Sequence, residues 1–98
     1  MIPFQFYFEA ETEFNEAAAF YESKVSHLKE AFIEEVERCI TIIRQRPEAA
    51  APLGKLLRKI NLRRFPYSIV FHHGADGLLI LAIAHQSRRP GYWRARMK

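Results

Sequence analysis

The stretch "RRFPYSIVFHHGADGLLILAIAHQ" (residues 63–86) holds two apolar segments joined by a turn, and the expected fold is built around it. The link "HHGADG" carries two glycines and an aspartate, a composition typical of a β-hairpin turn. Residues 78–84 are apolar at every position, which is typical of a central strand covered on both faces. Pro66 cannot donate a ladder hydrogen bond, so it marks a bulge or the frayed start of its strand. This part of the chain therefore predicts two paired strands within a sheet.

The preceding residues predict one strand, two helices and a further strand. In "IPFQFYF" (residues 2–8) every second residue is apolar, as in a strand with one buried aromatic face. Residues 9–25 and 26–47 carry apolar side chains every three or four positions, which predicts two helices, with Ser26 as N-cap of the second and Pro47 as its stop. The prolines and glycine of residues 47–54 indicate a loop, and "KLLRKINL" (residues 55–62) is the next strand.

The predicted order is therefore β-α-α-β-β-β, an α+β fold in one domain spanning residues 1–98. Two amphipathic helices joined by a short connection form a helical hairpin, which must bury its apolar stripes on one face of a mainly antiparallel sheet. We expect the other face of the sheet and its edges to carry the basic residues of the second half.

Charge is distributed unevenly along the chain. The net charge is +4, but residues 1–48 hold ten acids and five Lys/Arg, whereas residues 49–98 hold ten Lys/Arg and the single acid Asp76. The two halves therefore carry −5 and +9. Because a strongly positive half attracts polyanions or an acidic peptide, the composition favours a binding role for it.

Several classes of function are not indicated by the residues. Cys39 is the lone cysteine and lies on the apolar stripe of the second helix, so we interpret it as a small buried side chain rather than a nucleophile. His72 and His73 are neighbours on a strand and point to opposite faces, so no metal site and no cofactor is predicted. The N-terminus lacks the features of a signal peptide and no apolar run approaches ~18 residues, so we expect a cytoplasmic protein without a membrane span.

The candidate contact residues are arginines interleaved with aromatic side chains in the second half. Arginine pairs with phosphates and carboxylates, and aromatic rings stack on bases or anchor protein interfaces. The same residue types could build a metal-free ribonuclease, in which arginines stabilise the phosphorane and a His or Tyr moves the 2′-OH proton. A third interpretation is that Tyr92 and Trp93 only pack the tail against the sheet. The candidates are Arg58, Lys59, Arg63, Arg64, Phe65, Tyr67, Arg88, Arg89, Tyr92, Trp93, Arg94 and Arg96.

Three segments in order, "EAETEFNEAAAFYE", "RRFPYSIVF" and "LAIAHQSRRPGYWRAR", resemble the RelE/ParE superfamily of type II toxin–antitoxin toxins. The closer likeness is to the ParE-type, plasmid-stabilisation branch, and it covers nearly the whole chain. The resemblance implies a β-α-α-β-β-β microbial-ribonuclease-like fold, which agrees with the order derived from the residues. It also implies a small toxin whose cognate antitoxin wraps it with a C-terminal segment and neutralises it.

The resemblance implies one of two targets. ParE-type members inhibit DNA gyrase and are not nucleases, whereas RelE-type members cut mRNA on the ribosome. For a RelE-type nuclease the set here would be His85, Arg88, Arg89 and Tyr92. RelE-type toxins usually carry an arginine in the strand after the "FPY"-like position, but Ser68 stands there.

Because loss of one preorganised donor costs on the order of 10²–10³ in rate, Ser68 favours the non-enzymatic, gyrase-directed function. Arg63 and Arg64 are the alternative source of a cation at that place. A further alternative is a non-toxic module whose arginines only hold a partner peptide. For any peptide partner the basic, aromatic surface predicts an apolar and acidic segment.

Overall fold

The computed structural model describes residues 1–97 of the chain, with two helices packed on one face of a five-stranded sheet. The sheet order is β1-β5-β4-β3-β2, and only the β1–β5 pair is parallel. The predicted α+β fold with a helical hairpin on a mainly antiparallel sheet is confirmed. The elements are β1 (Phe4–Phe6), α1 (Phe8–Glu22), α2 (Leu28–Gln45), β2 (Ala51–Leu53), β3 (Leu57–Asn61), β4 (Tyr67–Gly74) and β5 (Gly77–His85).

The β4–β5 hairpin is the predicted one, and its turn consists of two residues between Gly74 and Gly77. Gly77 has a φ of +130°, and a Cβ there would overlap the carbonyl oxygen of Pro3. That carbonyl accepts a hydrogen bond from the Leu78 N–H at 2.9 Å, so the N-terminal segment is fastened to the hairpin. Only glycine suits both the backbone angle and this close approach.

A β-bulge interrupts β5 near its middle. Val70 pairs with Ala82 and Phe71 pairs with Ile80, which leaves Leu81 opposite no residue of β4. Leu81 and Ala82 consequently both belong to the apolar cluster on the sheet face away from the helices. The Leu81 carbonyl accepts a hydrogen bond from Arg96, which belongs to the site described below.

The main core lies between the helices and the sheet. Phe32 is fully buried and its ring lies 5.4–5.9 Å from those of Phe14, Phe65 and Tyr67. Cys39 is also fully buried, which confirms its interpretation as an apolar side chain, and burial raises the pKa of its thiol to about 11. These contacts fix α1 and α2 on the sheet.

The opposite sheet face differs from the expectation. It carries a second apolar cluster, in which Trp93, 8% exposed, packs with Val70, Leu81 and Ala82. The C-terminal residues therefore cover the centre of the face that was expected to display basic side chains. The basic residues lie instead mainly in the loop before β4 and in the C-terminal residues.

Three local expectations were wrong. Residues 47–54 hold a 3-10 turn and strand β2, because Ala51–Leu53 pairs with β3. Phe8 is 78% exposed, because the strand ends at Phe6 and Phe8 begins α1. The N-cap of α2 is His27 rather than Ser26, and no side chain caps the first turn. Within residues 1–97 no helix is long and apolar enough to span a bilayer.

Candidate functional site

The C-terminal tail, residues 86–97, folds back over the sheet after β5. The Arg88 N–H donates to the carbonyl of His85 at 3.0 Å, which turns the chain directly after the strand. Gly91 has a φ of +81°, and the Arg94 guanidinium lies so close that a Cβ at Gly91 would be 2.7 Å from its Nε. The turn and the glycine together direct Trp93 into the second apolar cluster.

Glu13 of α1 holds this tail in place. Its Oε1 accepts hydrogen bonds from the backbone N–H of Ile83 at 3.0 Å and from Arg96 Nη1 at 3.2 Å. Its Oε2 accepts from the Tyr92 hydroxyl at 2.8 Å and from Arg96 Nη2 at 2.9 Å. The side chains of Glu13 and Arg96 are only 12% and 9% exposed. One carboxylate therefore joins α1, β5 and the tail.

Glu13 and Arg96 bind backbone groups of β5 that lie at the edge of the sheet. β1 pairs with β5 only from Leu78 to Ile80, so the rest of β5 has no strand on that side. Glu13 satisfies the Ile83 N–H, and Arg96 Nη1 donates to the Leu81 carbonyl at 2.9 Å. Side chains thus replace the missing strand, because unpaired buried backbone groups are costly.

The same network divides the arginines of the tail into two kinds. Arg96 is buried against Glu13, and Arg88 lies 3.9 Å above the ring of Tyr92 while its Nη1 is 3.8 Å from Glu13. Burial, with the Glu13 hydrogen bond, raises the pKa of Tyr92. Arg89 and Arg94 are exposed, and within residues 1–97 neither has a carboxylate within ion-pair distance.

His85 lies at a small hollow between α1 and the end of β5. Its ring meets that of Tyr67 edge-on at 4.9 Å, and its Nδ1 accepts a hydrogen bond from the Ser87 N–H at 2.9 Å. The hollow has a volume of about 200 Å³, and Arg88 reaches it, but Tyr92 and Arg89 do not line it. Its lining residues are Glu13, Glu16, Ala17, Phe20, Tyr67, Ile83, His85 and Arg88.

The candidate nuclease residues are therefore only partly brought together. His85 and Arg88 share the hollow with the two carboxylates of Glu13 and Glu16, whereas Tyr92 lies beside a separate depression next to Arg96. The exposed carboxylate of Glu16 would repel a phosphate at this position. The arrangement lacks the convergent cations that stabilise a developing phosphorane.

A second basic cluster lies in the loop between β3 and β4. The Arg63 N–H donates to Glu35 Oε2 at 2.6 Å, and Glu35 also accepts two hydrogen bonds from Arg38 at 2.7 and 2.8 Å. These contacts, above all the one with Arg38, lower the pKa of Glu35 to about 2. Arg64 is exposed and has a φ of +71°, an uncommon angle for a side chain of this size.

Position 68 faces away from the His85 hollow. The Ser68 hydroxyl is buried and donates to Asn61 Oδ1 at 2.6 Å. Its neighbour Tyr67 belongs to the helix-side core, and successive strand residues point to opposite faces. Arg63 and Arg64 line a different depression beside Glu35, and neither His85 nor Ser68 lines it.

Two further candidate contact residues, Arg58 and Trp93, make contacts within the fold. Arg58 Nη1 donates to the carbonyl of Ala50 at 2.9 Å, which fastens β3 to the segment after α2. Trp93 is buried, so little of its surface can meet a partner. In the described part of the chain, no three His, Cys, Asp or Glu side chains are grouped as a metal site requires.

Glu13 is the residue that the sequence interpretation missed. Ala10 and Ala17 are buried on α1, three residues before and four residues after Glu13. An acid at this spacing lies on the buried stripe of the helix and requires a partner there. The spacing of Glu13 from Ala10 and Ala17 is therefore the sequence feature that could have indicated its role.

Comparisons with known proteins identify a family for this chain and a solved structure with a similar fold. The family model "ParE toxin of type II toxin-antitoxin system, parDE" matches residues 7–90. A solved structure described as "Chromosomal ParDE TA system from P. aeruginosa" superposes with a TM-score of 0.73 over 87% of this chain and 96% of that one, at 16% identity, and so shares its fold. No curated protein sequence matches significantly. Because the family match covers most of its length, the chain belongs to the ParE toxin family of type II toxin–antitoxin systems.

Proposed function

We propose that this chain is a toxin that inhibits DNA gyrase by binding it, and that a cognate antitoxin neutralises it. Binding rather than catalysis is favoured because Tyr92 and Arg96 both donate hydrogen bonds to Glu13. A tyrosine that donates its proton to a buried carboxylate, with a raised pKa, is a poor general base. The arginine of the candidate nuclease set nearest Glu13 is Arg88, whose Nη1 lies 3.8 Å from the same carboxylate, so its charge is partly offset.

The contact surface in this proposal consists of exposed arginines in two places. Arg63 and Arg64 extend from the β3–β4 loop, and Arg89 and Arg94 extend from the C-terminal tail. Exposed guanidinium groups attract acidic partners over distances of about a Debye length and pair with carboxylates on contact. Such a surface suits both an acidic region of the target and an acidic antitoxin segment.

Neutralisation by an antitoxin is supported by the family and by the two-component system to which the similar fold belongs. The apolar part of the antitoxin segment would meet exposed aromatic surface beside the His85 hollow, where Phe20 is 52% exposed. A single extended or helical segment with alternating apolar and acidic side chains satisfies both requirements. We further propose that the toxin acts in the cytoplasm, where gyrase is found.

The test uses purified protein with gyrase and, in parallel, with a translating extract. We expect inhibition of supercoiling or accumulation of cleaved DNA at micromolar toxin, while mRNA in the extract stays intact. Added antitoxin should reverse the effect on gyrase. Unaffected gyrase together with cut mRNA would replace the proposal by the RelE-like ribonuclease, and unimpaired growth on expression without antitoxin would replace it by a non-toxic binding module.

A further inference from the structure

We infer that Glu13 is a positioning residue for the target-binding surface, because it fixes the C-terminal tail so that Arg89 and Arg94 face the solvent. The inference rests on the proposed function and adds the residue on which its contact surface depends. Glu13 itself is nearly buried and would not touch the target. Its effect passes through the tail.

Glu13 connects three parts of the fold with one carboxylate. Both of its oxygens are saturated, by the Ile83 N–H, the Tyr92 hydroxyl and two nitrogens of Arg96. Charge-assisted hydrogen bonds of this kind are directional as well as strong. They therefore set the rotation of the tail over the sheet, which apolar contact alone does not.

The apolar anchor of the tail, Trp93, leaves one polar group without a partner. Trp93 is buried in the second cluster, but its Nε1–H has no hydrogen-bond partner within the described residues. An unpaired buried donor offsets part of the gain from burying the indole ring. The Glu13 network adds directional hydrogen bonds to the apolar contacts that hold residues 92–96 on the sheet.

Only some of the arginines in the tail stay available to a partner. Arg96 forms an ion pair with Glu13, and Arg88 is stacked on Tyr92. The exposed Arg94 lies between Tyr92 and Arg96, the two tail residues that Glu13 holds, and the exposed Arg89 lies three residues before Tyr92, so the spacing of the two arginines depends on Glu13. The family match ends at residue 90, so Tyr92 and Arg96, the two tail partners of Glu13, lie outside the matched residues.

The experiment replaces Glu13 by glutamine and compares it with Glu11→Gln, an exposed acid of the same helix. A glutamine has one acceptor oxygen, and its amide would face donors of Ile83, Tyr92 or Arg96. Trp93 is the single tryptophan, so its fluorescence reports the tail directly. In Glu13→Gln we expect red-shifted emission, stronger acrylamide quenching and faster tryptic cleavage after Arg94 and Arg96, with none of these changes in Glu11→Gln.

The functional measurement is gyrase inhibition. We expect the half-inhibitory concentration of Glu13→Gln to rise about tenfold or more. The reason is that Arg89 and Arg94 would no longer be held at the spacing that matches the acidic groups of the target. If Glu13 acts through the tail, adding Arg89→Ala and Arg94→Ala to Glu13→Gln should raise that concentration far less than in the wild-type background. Full additivity, or an unchanged tail in Glu13→Gln, would overturn the inference.

Tyr92→Phe provides a milder test, should Glu13→Gln fold poorly. It removes only the hydroxyl bond to Glu13, and we expect a smaller fluorescence shift in the same direction. No shift in a folded Tyr92→Phe protein would contradict the inference. If the wild-type protein leaves gyrase unaffected, the proposed function fails, but the fluorescence and proteolysis results still decide whether Glu13 holds the tail.

Discussion

Replacing Glu35 by glutamine removes the carboxylate that fastens the β3–β4 loop to α2. In the folded protein its pKa is about 2, against an ordinary value of 4.5, because Arg38 and the Arg63 N–H donate to it. At about 1.4 kcal/mol per pKa unit the shift corresponds to about 3 kcal/mol. The Arg38 side chain is 35% exposed, so solvent screening reduces this, and we expect a loss of about 1–2 kcal/mol in the free energy of unfolding near neutral pH.

The pH dependence provides the sharper form of this prediction. A carboxylate with a lowered folded pKa stabilises fully above its unfolded pKa and loses that contribution as the pH falls through its folded pKa. The stability difference between wild type and Glu35→Gln should therefore shrink between about pH 4.5 and about pH 2, as measured by urea unfolding at several pH values. Glu37→Gln, an exposed acid on the same helix, should behave like wild type. A difference that is absent near neutral pH, or unchanged in acid, would refute the reasoning.

Four other substitutions or treatments test the fold and the loop. Phe32→Ala should lower the free energy of unfolding by about 3–5 kcal/mol in urea, because it empties the centre of the main core. Gly77→Ala should lower the melting temperature through a strain of about 1–3 kcal/mol at its left-handed φ. Arg64→Gly should raise the unfolding free energy by up to about 1 kcal/mol, because it relieves a positive φ, while weakening target or antitoxin binding. Cys39, buried and with its thiol pKa raised to about 11, should resist iodoacetamide until the protein is unfolded, as mass spectrometry would show.

The secondary structure that the sequence predicted well has strong local signals. The β4–β5 hairpin has an uninterrupted apolar strand and a turn with two glycines, and α2 has a clear apolar stripe and a proline stop. Strand β2 was missed because Ala51–Leu53 is three residues long and contains a proline, so only its pairing with β3 makes it a strand. Phe8 continued the alternation of β1 although the helix had already begun, because periodicity alone does not fix where a strand ends.

The sequence predicted which arginines belong to the candidate site, but not which of them are buried and which are exposed. The sequence indicates that Arg88, Arg89, Arg94 and Arg96 lie together in the tail, yet only the structure separates the buried Arg96 from the exposed Arg89 and Arg94. The partner of Arg96 lies 83 positions earlier in the chain, at Glu13. Pairings at such separation depend on tertiary packing, for which a single sequence carries no direct signal.

Gyrase inhibition by the double variant Arg89→Ala, Arg94→Ala tests the central claim most directly. Lys55→Ala, an exposed cation in the β2–β3 turn, removes a positive charge elsewhere and serves as the control. We predict that wild type and Lys55→Ala inhibit supercoiling at similar concentrations, whereas the double variant needs about tenfold more protein or fails, although it folds normally. A double variant as potent as wild type would contradict the claim that the tail held by Glu13 presents the target-binding surface.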